Sequence, residues 1–391
     1  MSFSLPSQGF VFWPVGTGDA VTIVAEEDEA VMQVDLHHLD SANDEDDPHA
    51  AIVDELEEHL PKNDDGDPYL AVFALTHPDT DHVKGFEELL DRVEIGAIWH
   101  TPRIFRENQS DLGDDAAAFK REVKDRREKT IEEDGDVESG RRVRVIGHDD
   151  IFEEDEYEDF PERWRTYPSD VVSELDGTDY EGSFEAFIHA PFKDDSAGER
   201  NETSLAMQIE LSDDSEEVGK ALLLGDLSYP TVRRIFDKTE EKNRPERLEW
   251  DVLMAPHHCS KSVMYWKGED DDERKLKQDI LDDLEEVSLS PAYVVASAES
   301  EFSDGKNENP PHTKARNRYE EIVDDFICTQ EHPDEDNPEP ITLAFTDEGF
   351  DYTEPEGESS ESEESDLTAA VQDARGTDAP PEDEVGFGER T

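Results

Sequence analysis

The sequence predicts an α/β protein in which two mixed sheets pack face to face and helices cover their outer surfaces. Three observations predict it. The chain opens on short strand-like segments, FVFW, AVTIVAE and AVMQVDL, separated by Gly and acidic turns. A continuous apolar run, YLAVFALT, leads through a polar loop into a helix-patterned stretch and then a further strand, EIGAIWH. The second half repeats the design with FEAFIHAP, SLAMQIEL, KALLLGD, WDVLMAP and AYVVASA, several of which lead into helical stretches. Two successions of strands with helices between them fit a layered sandwich.

Taken in order, the first segments form a β-meander whose opening turn is broken by Gly16 and Gly18. A dense Asp and Glu loop over 40–66 surrounds one helix, AIVDELEEHL, with Ile52, Val53, Leu56 and Leu60 at helical spacing. YLAVFALT, bounded by Pro68 and Pro78, suits a strand buried on both faces. KGFEELLDRV has helical periodicity. Residues 106–182 are highly charged, with a helix at DDAAAFKREVKDRREKT and a strand at RRVRVIG. They hold too few apolar residues for a core of their own and read as an elaboration of the same domain. PTVRRIFDK reads as a helix, and ITLAFTDEGFDYT as a final hairpin turning at Asp347, Glu348 and Gly349. The expected organisation is one domain over 1–353 and a disordered acidic tail over 354–391, rich in Glu, Ser, Asp, Pro and Gly.

Composition narrows the setting. The 391 residues carry 36 Lys plus Arg against 106 Asp plus Glu, a formal net charge of −70, yet 34% are hydrophobic, enough for a sizeable core. The acidic residues interrupt nearly every loop and leave the apolar runs intact, the pattern of a folded surface adapted to a salty, halophilic cytoplasm. Surface charge of this sign excludes generic affinity for nucleic acid, so any polyanion is held at a local site. Cys259 and Cys328 alone make neither a disulfide scaffold nor a cysteine zinc cluster. No apolar run approaches the ~20 residues that cross a bilayer, and the N-terminus lacks a secretory pattern, so a cytoplasmic protein without membrane insertion is expected.

The chemistry concentrates at strand ends. In LTHPDTDHVKGF, His77, Asp79, Asp81 and His82 occupy six positions directly after the YLAVFALT strand. Imidazole and carboxylate together suit zinc, manganese or iron(II); a turn-forming Asp-rich loop is the competing reading of this segment alone. KALLLGDLS places Asp226 after a second buried strand, and DVLMAPHHCSKS places His257 and His258 after a third. Loops at one sheet edge converge in space, so three such sets make a site for one or two divalent ions, zinc or manganese.

These segments resemble the metallo-β-lactamase superfamily, whose signature is His-x-His-x-Asp-His after a strand, then a later His, a bridging Asp and a final His. Within it they are most similar to the ComEC/Rec2-like hydrolase branch, found attached to the competence DNA channel and also as stand-alone proteins. The matching features are VGTGDAVTI, Asp35 in MQVDL, HPDTDHVKGF with Asp79 in place of the middle His, NETSLAMQI, LLLGDLS and APHHCSKS, in family order across about residues 10–350. The resemblance implies an αββα sandwich of two mixed sheets with outer helices. It also implies that Asp81, His82 and His257 hold one metal, that His77 and Asp79 contribute to the other, and that Asp226 bridges them. His77, Asp81 and Asp226 are then the catalytic group, with Asp81 orienting the attacking water and Asp35 and Asp19 orienting ligands from behind.

Two departures stand out. Asn201 falls near the place of the later His, with His189 one strand end earlier, and Cys259 adds bulk where the branch has Gly. Asn201, His258, Ser260 and His312 are candidates for substrate contact; His312 equally suits a helix start. Lys261 and Ser262 are similar candidates. His37 and His38 read as pocket lining. Lys314, Arg316 and Arg318 either meet a phosphate or pair with neighbouring acids. The expected function is a metal-dependent phosphodiesterase or nuclease acting on nucleic acid or a nucleotide. Ester, lactone or thioester hydrolysis on the same site, or a degenerate binding protein, are the alternatives.

Overall fold

Side chains alternate across a strand, and that alternation decides the layering of this chain. Phe10 and Phe12 point to one side of the Gly9–Phe12 strand and join a core shared with Met207, Ile209, Val252 and Val295. Val11 and Trp13 point to the other side, toward helices that carry Ile52, Leu56, Phe86 and Phe119. The structure, a computed structural model, describes residues 3–352 except 45–46, 107–111, 155, 194–200, 214–216, 269–270 and 306–308. The tail expected over 354–391 lies outside the described residues.

Among the described residues nine strands form the first sheet, in the spatial order Gly349–Tyr352, Ile341–Thr346, Gly9–Phe12, Val21–Glu26, Ala30–Val34, Tyr69–Leu75, Glu94–His100, Arg142–Ile146 and Arg165–Thr166. Neighbours run parallel from Ala30–Val34 onward and antiparallel before it. The second sheet has seven strands among the described residues: Asp325–Cys328, Ser288–Ala296, Trp250–Met254, Val218–Leu223, Ala206–Ser212, Phe184–Ala190 and Val171–Val172. The first four are parallel to one another. The predicted hairpin is present, and it pairs Ile341–Thr346 with Gly9–Phe12, so the end of the domain completes the sheet that its beginning opens.

The fold is therefore an αββα sandwich of two mixed sheets with outer helices. Its inner core lies between the sheets, and a separate apolar layer lies under the helices on each outer face. On the first face the helices Ile52–His59, Phe86–Arg92 and Asp114–Glu132 cover Leu70, Phe73 and Ile98. Phe73 meets Phe86 at 5.0 Å and Phe119 at 6.0 Å between ring centroids. On the second face Tyr229–Glu241, Gln278–Glu286 and Thr313–Tyr319 cover Leu222, Leu253 and Val294. Burial on both faces explains why YLAVFALT reads as one apolar run rather than an alternation.

The described buried apolar residues of the charged stretch over 106–182 join clusters of the main sheets. Phe119, Val123, Phe152, Tyr157, Phe160 and Trp164 are buried in the same outer layer as Leu70 and Phe73. Its one long helix is fixed to the sheet by Arg126, which donates from its guanidinium to the carbonyls of Ile95 (2.9 Å) and Gly96 (3.0 Å). Among the described residues no helix is long and apolar enough to cross a membrane.

Parallel strands end at a common edge, and the loops that leave it carry the His and Asp residues. Asp35 follows Val34, Thr76 to His82 follow Leu75, Asp226 follows Leu223, and His257 and His258 follow Met254. Backbone hydrogen bonds join these loops: Leu205 N donates to Thr76 O (3.0 Å) across the sandwich, and Asp19 N to Asp81 O (3.0 Å) and His257 N to Gly225 O (3.0 Å) within each sheet's edge.

Candidate metal centre

Asp226 stands at the middle of this edge, almost fully buried, with its two carboxylate oxygens facing different groups. Oδ1 lies 3.2 Å from Nε2 of His82 and 3.6 Å from Nε2 of His258. Asp81 Oδ2 is on that side too, 3.4 Å from His258 Nε2. Oδ2 of Asp226 lies 3.6 Å from Nε2 of His77, 3.6 Å from Nε2 of His257 and 3.2 Å from Nδ2 of Asn201. Asp79 Oδ2 completes this second group, 3.6 Å from His77 Nε2. The donors thus form two poles joined by one carboxylate.

Each buried ring is oriented from behind. Asp35, held on a backbone with φ 55°, accepts from Thr76 N (2.7 Å), Thr76 Oγ1 (2.6 Å) and His82 Nδ1 (2.8 Å). Thr76 Oγ1 in turn lies 3.1 Å from His77 Nδ1. Asp19 Oδ1 lies 3.1 Å from Nδ1 of His258. With Nδ1 of His77 and His82 hydrogen-bonded and Nδ1 of His258 facing the Asp19 carboxylate, these three rings turn Nε2 toward Asp226, as histidines prepared for a metal do. The Nε2 atoms of His77, His82 and His258 and Oδ1 of Asp226 have no hydrogen-bond partner in the protein. Buried imidazole nitrogens and a carboxylate oxygen that converge without hydrogen bonds form a donor set that fits a bound divalent cation.

The electrostatics agree. Burial opposes a charged His258, yet Asp226, Asp19 and Asp81 raise its pKa to about 10. Burial also opposes charge on His82, and Asp226, Asp35 and Asp19 hold it well above its ordinary value all the same. Burial pushes Asp226 up, but His82, His258 and His77 hold it well below the carboxylate range. Asp81 is likewise held low against its burial, by His258 and His82. The site favours positive charge between its carboxylates, where an ion's charge would serve as protons do.

The structure differs from the sequence expectation over the final histidine. His258, assigned above to substrate, packs with His82, Asp81 and Asp226; His257, assigned to that pole, lies on the opposite side of Asp226 with His77. The cause is backbone conformation. His257, His258 and Cys259 all have positive φ, 52°, 52° and 61°, a left-handed turn that costs roughly 1–2 kcal/mol per residue and fans two consecutive side chains to either side of one carboxylate. A one-dimensional pattern gives no signal of that turn. Asp19 belongs closer to the centre than expected, since it, His82, Asp226 and His258 offer ligand atoms all within 4.8 Å of one another.

Other candidates lie farther out. His312 starts the Thr313–Tyr319 helix, donates its backbone N–H to Cys259 O (3.2 Å) and accepts from Lys261 N (3.3 Å), bracing the strained turn. Ser260 Oγ accepts from Ser262 N (3.3 Å) in the next turn, and Lys261 Nζ donates to Gly305 O (3.2 Å). His189 donates to Arg247 O (2.8 Å), away from Asp226. Asn201 is the residue that reaches the carboxylate, and Glu202 beside it anchors the loop through Ser228 and Thr231. His37 is buried behind the centre, with Nδ1 donating to Val15 O (2.9 Å), and burial lowers its pKa to about 4. His38 turns away, toward Glu88. Of the two fates expected for these cations, Arg316 and Arg318 show pairing with acids, Arg316 with Glu320 and Glu331 and Arg318 with Glu321.

No family model and no curated protein matches the chain. Among solved structures it is similar to the metallo-β-lactamase fold protein YhfI from Bacillus subtilis, at 11% identity and a TM-score of 0.37 over 82% of this chain and 95% of that one. It is also similar to a diphosphatase of the PhnP family, at 10% identity and a TM-score of 0.36 over 84% of this chain and 85% of that one. The Rm3 metallo-β-lactamase follows at 12% identity and 0.30, over 64% and 76%. Likeness at this level decides neither metal nor substrate.

Proposed function

We propose that the protein is a metal-dependent hydrolase acting on phosphodiester bonds of nucleic acid or a nucleotide. The observation that carries the hydrolytic reading is Asp226, whose two oxygens each face a separate set of buried donors. His82, His258 and Asp81 would hold one ion beside Oδ1, and His77, Asp79 and His257 a second beside Oδ2. What zinc or manganese supplies in such a set is Lewis-acid activation of water and relief of charge on the leaving oxygen. The chain's own part is positioning. Asp35 and Asp19 would keep Nε2 of His82 and His258 forward, Asp226 would tie the poles together, and Asp81, the most exposed of the inner carboxylates, would orient the attacking water.

Asn201 favours a second reading, a binding protein without turnover, because an amide is a weak ligand where the family has His. His257 on the same pole weakens that reading. Metal content of the protein purified in molar KCl separates the two: two equivalents support a hydrolase, and none supports the binding protein. Cleavage of DNA and of bis-p-nitrophenyl phosphate with manganese or zinc then tests the substrate class. Asp81→Ala and Asp226→Ala should each abolish it; equal activity in these variants would remove both residues from the mechanism, and hydrolysis of carboxylic esters alone would move the assignment to the ester, lactone or thioester class.

A further inference from the structure

A second, smaller feature lies at the far end of the helix that follows Asp226. Lys238, Lys242, Arg244, His189, Phe187 and Phe192 line a hollow of about 80 Å³, and among the described residues none of its lining is a carboxylate. In a chain with 106 acidic residues against 36 basic ones the opposite is the default. The hollow beside His38 is lined by Asp40, Glu87, Glu88, Asp91 and Asp115.

The three cations that line the hollow differ in their partners. Lys238 pairs with Glu241 at 2.7 Å. Among the described residues no carboxylate lies within ion-pair distance of Lys242, and Arg244 is held by a carbonyl, donating to Ser169 O (3.1 Å). Lysines at a helix C-terminus complement the helix dipole, which accounts for Lys238 and Lys242 alone. It does not account for Arg244, which stands over the Phe187 ring at 5.9 Å. Guanidinium groups backed by aromatic rings beside ammonium groups are the elements of phosphate recognition.

We propose that this hollow is an anion subsite for a phosphate group carried on a nucleotide or a nucleic-acid strand. It stands apart from the metal centre. The helix Tyr229–Glu241 begins just after Asp226 and Lys238 is in its last turn, a separation of roughly 14 Å at 1.5 Å per residue. The subsite therefore does not depend on the reaction assigned to that centre.

The test uses the full chain stripped of metal by EDTA, in the lowest KCl concentration that keeps it folded, titrated by calorimetry with pyrophosphate, adenosine monophosphate and a ten-nucleotide oligothymidylate. Binding in metal-free protein is expected, weakened about 10-fold or more by Lys238→Glu/Lys242→Glu and unchanged by Asp226→Asn. The tightest probe identifies the source of the phosphate, small nucleotide or strand. Because Lys238 and Lys242 are on the surface, acetylation footprinting on the unmutated protein gives a second measurement, in which the bound probe protects both amines. Absence of binding by all three probes, equal affinity in the charge-reversed variant, or loss in Asp226→Asn alone would each overturn the proposal.

Discussion

Asp35 Oδ2 lies 2.8 Å from Nδ1 of His82, and the same carboxylate accepts both donors of Thr76. One buried side chain at the end of the Ala30–Val34 strand thereby sets the ring of His82 directly and that of His77 through the Thr76 hydroxyl. Removing the acceptor should cost metal before it costs fold. Asp35→Asn is expected to weaken metal binding about 10- to 100-fold while circular dichroism stays native. Unchanged metal affinity in this variant would leave Asp35 a purely structural residue.

The left-handed turn at 257–259 makes its two histidines separable. His258 faces Oδ1 of Asp226 and His257 faces Oδ2. His258→Ala should remove the ion held with His82, and His257→Ala should weaken the ion held with His77. Cobalt substitution read by absorption distinguishes the two positions, and identical spectra from both variants would mean that the pair acts as one ligand set.

These two residues also mark where the sequence stops being legible. The strands, the outer helices and the meeting of His77, His82 and Asp226 follow from apolar runs that end in polar residues, because parallel strands place their ends on one edge. Which of two consecutive histidines faces which oxygen depends on three positive φ values, and nothing in the local composition asks for them: Cys259 stands where a glycine would announce the turn. The contact of Asp19 with His258 is hidden from the sequence for a related reason. It is set by the close packing of Gly18, where an added Cβ would meet His37 at 2.2 Å and the Asp81 carbonyl at 2.8 Å, a contact between loops distant in sequence.

His49 joins the two halves of the sandwich away from the centre. Its Nε2 lies 3.1 Å from Glu299 and its Nδ1 2.7 Å from Asp47. The hydrogen bond to Glu299 raises its pKa above the ordinary value, with Asp47 adding to it against the effect of burial. A group whose folded pKa is raised contributes stability that is complete below the unfolded pKa, about 6.5, and is lost as pH rises through the folded value. His49→Gln should therefore lower Tm at pH 6 more than at pH 9. Glu299 is half exposed, so the contribution is under about 1 kcal/mol. A Tm loss independent of pH would assign His49 to packing.

The charge of the molecule leads to the broadest prediction. A net charge of −70 on 391 residues repels the folded state from itself, and carboxylates cluster on its surface, as at Asp40, Glu87, Glu88, Asp91 and Asp115. Neighbouring cations answer only part of this: Lys84 meets Asp40, Arg121 meets Glu87 and Arg92 meets Glu88. At about 1 M salt the Debye length is roughly 3 Å, against about 30 Å at 0.01 M, so repulsion that is silenced in strong salt acts across the whole surface in dilute buffer. Near-UV circular dichroism should be native in molar KCl and collapse on dialysis to low salt. Salt also strengthens burial of apolar surface, so sucrose at equal osmolarity, which favours compact states without screening charge, separates the causes. Protection by KCl and not by sucrose assigns the effect to screening; a native spectrum in low salt would show that the three apolar layers hold the sandwich together without it.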